Sequence, residues 1–503
     1  MKERFYGVLL NYVILVISIG MNFLYVPILL SFVGKSEYGI YQLIGALVGY
    51  ISVLEGSVAI TVTQFYTRYK TLQQYEAMEN FLAMAFRIHF FVSLIITIIA
   101  VLMYNYLGDM FTSVMTWREV ELVKKMFVLL VVNILISILF SPINSVIISH
   151  EKFRFQKILS LLQTLLQPIL VIVFLYKYPT SLTIVVIQTL FNLILWAGKV
   201  YYVYCCLKIK VVYHYWDWSI VRPFFSLTVS ILGVAIIDQV FFRTNQLILG
   251  FLKGPEVVTL YAIAATIYIQ YMGLANKISD VFGPKVVELV SKNESMFEVS
   301  KLFIKIGRWQ WFILGYILTS FIIFGKYFIQ IWVGSSFIEA YYIALILITP
   351  FSIDLVQNLG NTILQAKNKY GYRAKVFWCV GIMCLGCSIP VTERWGPIGT
   401  ALCTGISWFI ISGIIINRYY AKVIGLNIGE FWRQLGVVTL NMLVVFFPML
   451  IYSFCFPITS MVQFLICLII YSLFYIFILY KRCLNLEEKM FIDNIVRKYI
   501  LKV

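Results

Sequence analysis

The chain has 503 residues, with 40 Lys and Arg against 23 Asp and Glu, for a formal net charge of +17. Apolar residues make up 61% and charged residues only 13%. That balance excludes a soluble globular protein, whose surface needs about 25% charge. A nucleic-acid binder is a poor reading of the charge, because the basic residues are spread over many short loops rather than gathered in one patch.

Stretches of about 20 apolar residues, the length a bilayer demands, recur along the whole chain. Fourteen spans are predicted, near 7–31, 38–63, 83–105, 122–148, 158–176, 181–203, 223–250, 257–282, 307–331, 340–365, 376–392, 397–417, 434–456 and 461–480. The first follows Met1-Lys-Glu-Arg4 but is too long for a signal peptide and lacks a small-x-small cleavage site, so it is expected to be retained. The second carries Glu55, with Ser52 and Thr63 near its face. The fourth holds Ser137, Ser141 and Asn144 at helical spacing. The seventh contains Asp238 and Arg243, which are five apart and therefore about 140° around a helix, so they cannot easily pair. The eighth ends on a stripe of Gln270, Gly273, Lys277 and Asp280.

The longest connection, 283–306, opens on Gly283-Pro284, read as a kink or stop, and alternates apolar and charged residues in the manner of an amphipathic surface helix. The tenth span places Asp354, Asn358, Asn361 and Gln365 at i, i+4, i+7 and i+11, one face of a helix. Cys384 and Cys387 have C-x-x-C spacing but sit in an apolar run without a His or acidic partner, so they read as small packing residues, not a metal or redox site. The stretch from Leu486 onward reads as a second surface helix.

The tenth-span stripe repeats 217 residues earlier, as Ser137, Ser141, Asn144 and Ile148, and the loops after the two spans also match. A second correspondence sets Phe32–Glu37 beside Phe251–Glu256 and Tyr41 beside Tyr261. The expected layout is a six-helix lobe over 1–215, a second over 216–430, and two extra spans with a tail over 431–503. Six spans per copy make the two copies insert in the same orientation. If the N-terminus is cytoplasmic, 31 Lys and Arg face the cytoplasm and 8 face outward, with Arg243 inside a span. That bias predicts that both ends are cytoplasmic.

A charge in mid-bilayer asks for a cavity or a partner. The candidate substrate-cavity residues are Arg243, Lys277, Asp354, Asn358, Asn361, Gln270 and Asn144. Glu55, Asp238 and Asp280 are candidates for coupling to an ion. Lys277 and Asp280 also fit a simple role at the membrane interface, and Glu55 and Asp238 fit hydrogen-bonded glue between helices. Arg243 cannot shed its charge, and its planar fork suits a phosphate or pyrophosphate. No metal cluster, catalytic triad, phosphate loop or paired-carboxylate motif is present, so no enzymatic activity and no cofactor are expected.

The stretch Gly34-Lys-Ser-Glu37-Tyr38-Gly39-Ile-Tyr41, followed by Glu55-Gly56, resembles the polysaccharide flippases of the multidrug/oligosaccharidyl-lipid/polysaccharide exporter superfamily. The run Asn245–Gly250 with Glu256 and Tyr261, together with Pro284 and the turn Gln365–Lys369, fits the same pattern. The family's usual Asp is replaced by Asn245 and its usual Gly by Val258, departures that bear on any ion coupling there. The resemblance implies alternating-access export of undecaprenyl-pyrophosphate-linked oligosaccharide, an O-antigen type unit, across the bacterial inner membrane. It also implies membrane lipids and polysaccharide polymerase machinery as partners. Two other readings compete: a cation-coupled multidrug exporter of the same superfamily, and a membrane polymerase or glycosyltransferase. The short outer loops count against the enzyme, and Arg243 counts against the drug exporter.

Overall fold

A computed structural model describes residues 2–292, 294–485 and 488–490, with side chains from residue 14 onward except residue 15. The described chain contains helices and no strand. In order these are α1 Lys2–Thr71, α2 Tyr75–Phe111, α3 Trp117–Ser149, α4 Phe153–Leu175, α5 Ser181–Tyr201, α6 Trp218–Phe242, α7 Thr244–Lys253, α8 Pro255–Ser291, α9 Met296–Trp332, α10 Glu339–Val356, α11 Leu359–Ala366, α12 Tyr370–Trp408, α13 Ile416–Tyr419, α14 Ile428–Cys455 and α15 Met461–Ile478. Twelve described helices are long and apolar enough to cross a membrane. Two of these are double. α1 is broken at Gly34 (φ 75°, ψ 178°) and α12 at Gly396 (φ 58°, ψ −141°), both backbone states open to glycine. Counted on each side of the breaks, the described spans number fourteen. The protein is an all-α, multi-pass membrane protein.

Local chemistry marks several helix starts. Thr116 and Glu119 form a reciprocal capping box at α3. Asp217, Asn427 and Ser460 accept backbone N–H groups at the starts of α6, α14 and α15.

The chain divides into two compact units. Unit 1 runs to Ile263 and includes Leu385–Thr400; unit 2 comprises Ala264–Cys384 and the described residues from Ala401 on. The core of unit 1 joins Val58, Val62 and Tyr66 of α1 to Phe81 and Leu82 of α2, Val146 of α3 and Phe224 of α6. The core of unit 2 joins Phe312 and Phe324 of α9 to Met442 of α14 and Tyr471 and Tyr475 of α15, with the Tyr475 hydroxyl donating to Phe312 O at 2.8 Å.

The repeated loops share one backbone form. Glu151 and Asn368 both have left-handed φ, 54° and 55°. Lys152 N donates to Ile147 O and Lys369 N to Leu364 O, the same bond at each turn. Gly34 and Gly254 likewise both have positive φ, and they lie as far apart in the chain as Tyr41 and Tyr261. Lobe boundaries near 215 and 430 remain our proposal from the sequence.

Two expectations are corrected here. Gly283-Pro284 does not stop a helix: α8 runs through it to Ser291, because proline removes one donor and a long helix absorbs the loss. The stripe of Asp354, Asn358, Asn361 and Gln365 is not one continuous helical face. The helix breaks between Val356 and Leu359, leaving Asp354 buried and Gln365 exposed. The expected surface helix from Leu486 onward lies largely outside the described residues.

Candidate functional site

The glycine–tyrosine motif of α1 is a packing device of unit 1. Gly39 lies so close to α8 that an added Cβ would sit 1.8 Å from Pro255 O. Thr259 Oγ1 donates to Lys35 O at 2.6 Å, and Lys35 pairs with Glu256 at 3.5 Å. Glu37 receives the backbone and hydroxyl of Ser181 at 2.7 and 3.1 Å, which ties it to the start of α5. In the second motif Asn245 Nδ2 donates to Tyr261 at 2.7 Å.

Arg243 is the joint between α6 and α7 (φ −117°, ψ −33°) and is half-buried. A Cβ at Gly49 would stand 3.7 Å from its Nε and 3.5 Å from Gln239 Oε1, ordinary contact distances that place Gly49 of α1 against the Arg243 side chain. Tyr41 feels its charge, and the hydroxyls of Tyr50 and Thr244 meet beside it. Among the described residues no carboxylate lies within ion-pair distance of Arg243.

Several other charges in or beside the spans have a charged neighbour. Glu55 is half-buried and interacts electrostatically with Lys199 of α5. Asp238 is exposed on α6. In unit 2, Asp354 of α10 is clamped: Arg373 NH2 reaches its Oδ1 at 3.2 Å, and Ser412 Oγ donates to the same oxygen at 2.7 Å. Arg373 also lies 4.5 Å over the Phe377 ring. Lys277 and Asp280 form a half-exposed pair at 3.7 Å. Asn361 Nδ2 donates to Asn358 Oδ1 at 2.8 Å, and Asn358 Nδ2 donates to Asn276 Oδ1 at 2.7 Å, so two of the expected residues join one amide chain. Gln270 is half-buried on α8. Asn144 of α3, in unit 1, has a buried carbonyl oxygen with no hydrogen-bond partner among the described residues.

No family model matches the chain, and no curated protein matches it. Solved structures do. A lipid II flippase, MurJ, in an inward closed conformation superposes with a TM-score of 0.74 at 15% identity, covering 98% of this chain and 100% of that one. An inward-facing multidrug resistance MATE family transporter of the MOP superfamily gives 0.65 at 12% identity, covering 82% and 96%. A MOP superfamily transporter from Pyrococcus furiosus Vc1 (DSM3638), described by the reverse polarity of its binding pocket, gives 0.55 at 13% identity, covering 81% and 93%. The fold is shared with these three transporters.

Within this fold, three polar partners escape a reading of the sequence alone. Lys199 and Arg373 look like interfacial anchors because they sit near span ends, yet each feels the charge of a carboxylate. Asn276 lies one residue before Lys277 and carries no charge to draw notice. For Arg373 a signal exists: an acid such as Asp354 inside a span demands a cation on another helix.

Proposed function

We propose that the chain is a flippase of the bacterial inner membrane, with both termini cytoplasmic, that moves undecaprenyl-pyrophosphate-linked oligosaccharide by alternating access. One observation carries this reading: Arg243 is a permanent cation at the joint between α6 and α7, directly after an apolar span, half-buried, with no carboxylate within ion-pair distance among the described residues. Such a charge costs at least ~2.5–3.5 kcal/mol on insertion scales unless something compensates it. A pyrophosphate, gripped by two parallel N–H···O bonds, is the compensating group its geometry fits. Taken unit by unit, Asn144 in unit 1 and, separately, Lys277, Gln270, Asn358 and Asn361 in unit 2 are the further polar candidates for contact with the cargo. Asp354 enters as a positioning residue, since its carboxylate is held by Arg373 and Ser412. Glu55, Asp238 and Asp280 are the candidates for ion coupling. A polymerase of the surface polysaccharide would consume the product.

The likeness to a lipid II flippase supports a lipid-linked cargo, because the fold is compatible with carrying one. A cation-coupled drug exporter calls for an uncompensated acid in the spans. Here Asp354 is paired with Arg373, Glu55 lies within the electrostatic influence of Lys199, and Asp238 is exposed on α6.

The test is transbilayer movement of a short undecaprenyl-pyrophosphate oligosaccharide in proteoliposomes. Wild type is expected to move it, Arg243→Ala to slow it at least about tenfold, and Arg243→Lys to fall between. Movement untouched by Arg243→Ala removes this residue from the site. No movement with several glycans removes the flippase reading, and cationic drug export is measured next. If alanine at both Glu55 and Asp238 leaves transport and its ion dependence intact, coupling through those two is dropped.

A further inference from the structure

The polar face of α5 extends well beyond the Arg243 site. Gln188, Asn192, Trp196 and Lys199 fall at i, i+4, i+8 and i+11, one side of the helix. On α3, Asn133 and Ser137 are one turn apart and meet this face. Asn192 Nδ2 donates to Asn133 Oδ1 at 3.1 Å, and Trp196 Nε1 donates to Ser137 Oγ at 3.2 Å. Gln163 Nε2 of α4 donates to Asn192 Oδ1 at 3.1 Å. The amide chain therefore runs one way across three helices. It ends with the Gln163 carbonyl on one side and the Asn133 amino group on the other, an acceptor and a donor for a hydroxylated ligand. These side chains are half-buried, neither sealed in the core nor fully exposed.

The two ends of the face are cationic. Gln188 Nε2 donates to the Tyr41 hydroxyl at 2.8 Å, and Tyr41 lies in the field of Arg243. At the other end Lys199 Nζ lies 4.2 Å from the Trp196 ring centre, with Glu55 as its counter-charge. Eleven residues of helix separate Gln188 from Lys199, about 16 Å along the axis. Packing alone does not call for this composition. Aliphatic side chains would fill the same space without amides that must be hydrogen-bonded against an apolar environment. An aromatic ring, amide donors and acceptors and a cation are together the chemistry that holds a hydroxyl-rich ring carrying an anion.

We propose that this face of α5 binds the glycan of the transported lipid, with Trp196 as the platform for a sugar ring and Lys199 as a second anion station about 16 Å along the helix from Gln188. The proposal rests on the flippase reading and names a subsite within it. Glu55 balances Lys199 while the station is empty. An arriving pyrophosphate takes over that role, so the lysine is compensated throughout.

The test measures binding of two lipids to the detergent-solubilised full-length protein: undecaprenyl-pyrophosphate oligosaccharide and bare undecaprenyl pyrophosphate. Trp196→Ala is expected to weaken the glycosylated lipid about tenfold, the worth of one aromatic contact, and to leave the bare lipid unchanged. Trp196→Phe is expected to keep most of the affinity, and Lys199→Gln to weaken both lipids while Lys199→Arg restores them. Unchanged binding of the bare lipid also shows that Trp196→Ala is folded. If Trp196→Ala shifts both lipids alike, or neither, the platform is overturned. If Arg243→Ala weakens both lipids while the Trp196 and Lys199 variants bind as wild type, the α5 subsite falls and the flippase reading stands. If wild type binds neither lipid, the flippase reading falls and takes the subsite with it.

Discussion

Among individual residues, the contrast between Arg243 and Arg373 separates a binding group from a structural one. Both are arginines in or beside a span, but Arg373 is spent on Asp354, whose Oδ1 also accepts from Ser412, while Arg243 has no acid within ion-pair distance among the described residues. Removing one member of a buried pair leaves the other uncompensated and costs about 3–5 kcal/mol. Arg373→Ala is therefore expected to lower thermal stability in detergent sharply. The double variant Asp354→Ala/Arg373→Ala should regain part of the loss, which melting curves of the three proteins will show. Arg243→Ala should leave the melting temperature nearly unchanged while slowing transport. His150, in the turn after α3, gives a pH prediction. Burial, followed by the charges of Lys70 and Lys152, pushes its pKa down to about 4, and its Nε2 sits 3.2 Å from the Tyr66 hydroxyl. The folded value lies below the unfolded one, near 6.5. The unfolded chain therefore binds the extra proton, and stability is lost as pH falls from about 6.5 toward 4. The advantage in melting temperature of wild type over His150→Gln should shrink between pH 7.5 and 5; an advantage that stays constant would show that the ring is solvated.

At the level of helices, this chain breaks its spans where glycine or a special turn permits and packs them where glycine permits close approach. Gly39 faces Pro255 O, and Gly250 faces Leu43, where a Cβ would lie 2.4 Å from a methyl group. Gly45, six residues on from Gly39, has open space. Gly39→Ala is expected to cost more than about 2 kcal/mol, because backbone must move. Gly45→Ala should be neutral or stabilising by under about 1 kcal/mol. The yield and melting temperature of the two variants check this, and equal behaviour would mean the α1–α8 contact is looser than described. The repeated turns at Glu151 and Asn368 were legible as sequence, since Lys152 and Lys369 follow them at matching places. That both use a left-handed residue was not, because neither is glycine and nothing in composition marks φ.

For the whole molecule, the fourteen spans and their basic loops set the topology we propose. A C-terminal green fluorescent protein fusion is expected to fluoresce and a C-terminal alkaline phosphatase fusion to stay inactive, because the C-terminus is assigned to the cytoplasm. An active phosphatase fusion would mean that one span has been miscounted. The post-membrane segment is also anchored within unit 2. Arg308 of α9 donates to Cys483 O at 2.6 Å and to Glu488 at 3.0 Å. By sequence Arg308 counts as one more cytoplasmic basic residue, so its burial is information only the packing holds.

Length, apolar periodicity and charge bias were enough to specify an all-α membrane protein and its apolar spans, because the bilayer imposes those features on each segment separately. Which charges cancel could not be read in the same way. Asp354 with Arg373 is a pair between two helices, Glu55 feels the charge of Lys199 on another helix, and the Trp196–Ser137 and Asn192–Asn133 contacts depend on how α5 is rotated against α3. Rotation and register between helices are set by side-chain packing over the whole unit, and no window of sequence contains that information.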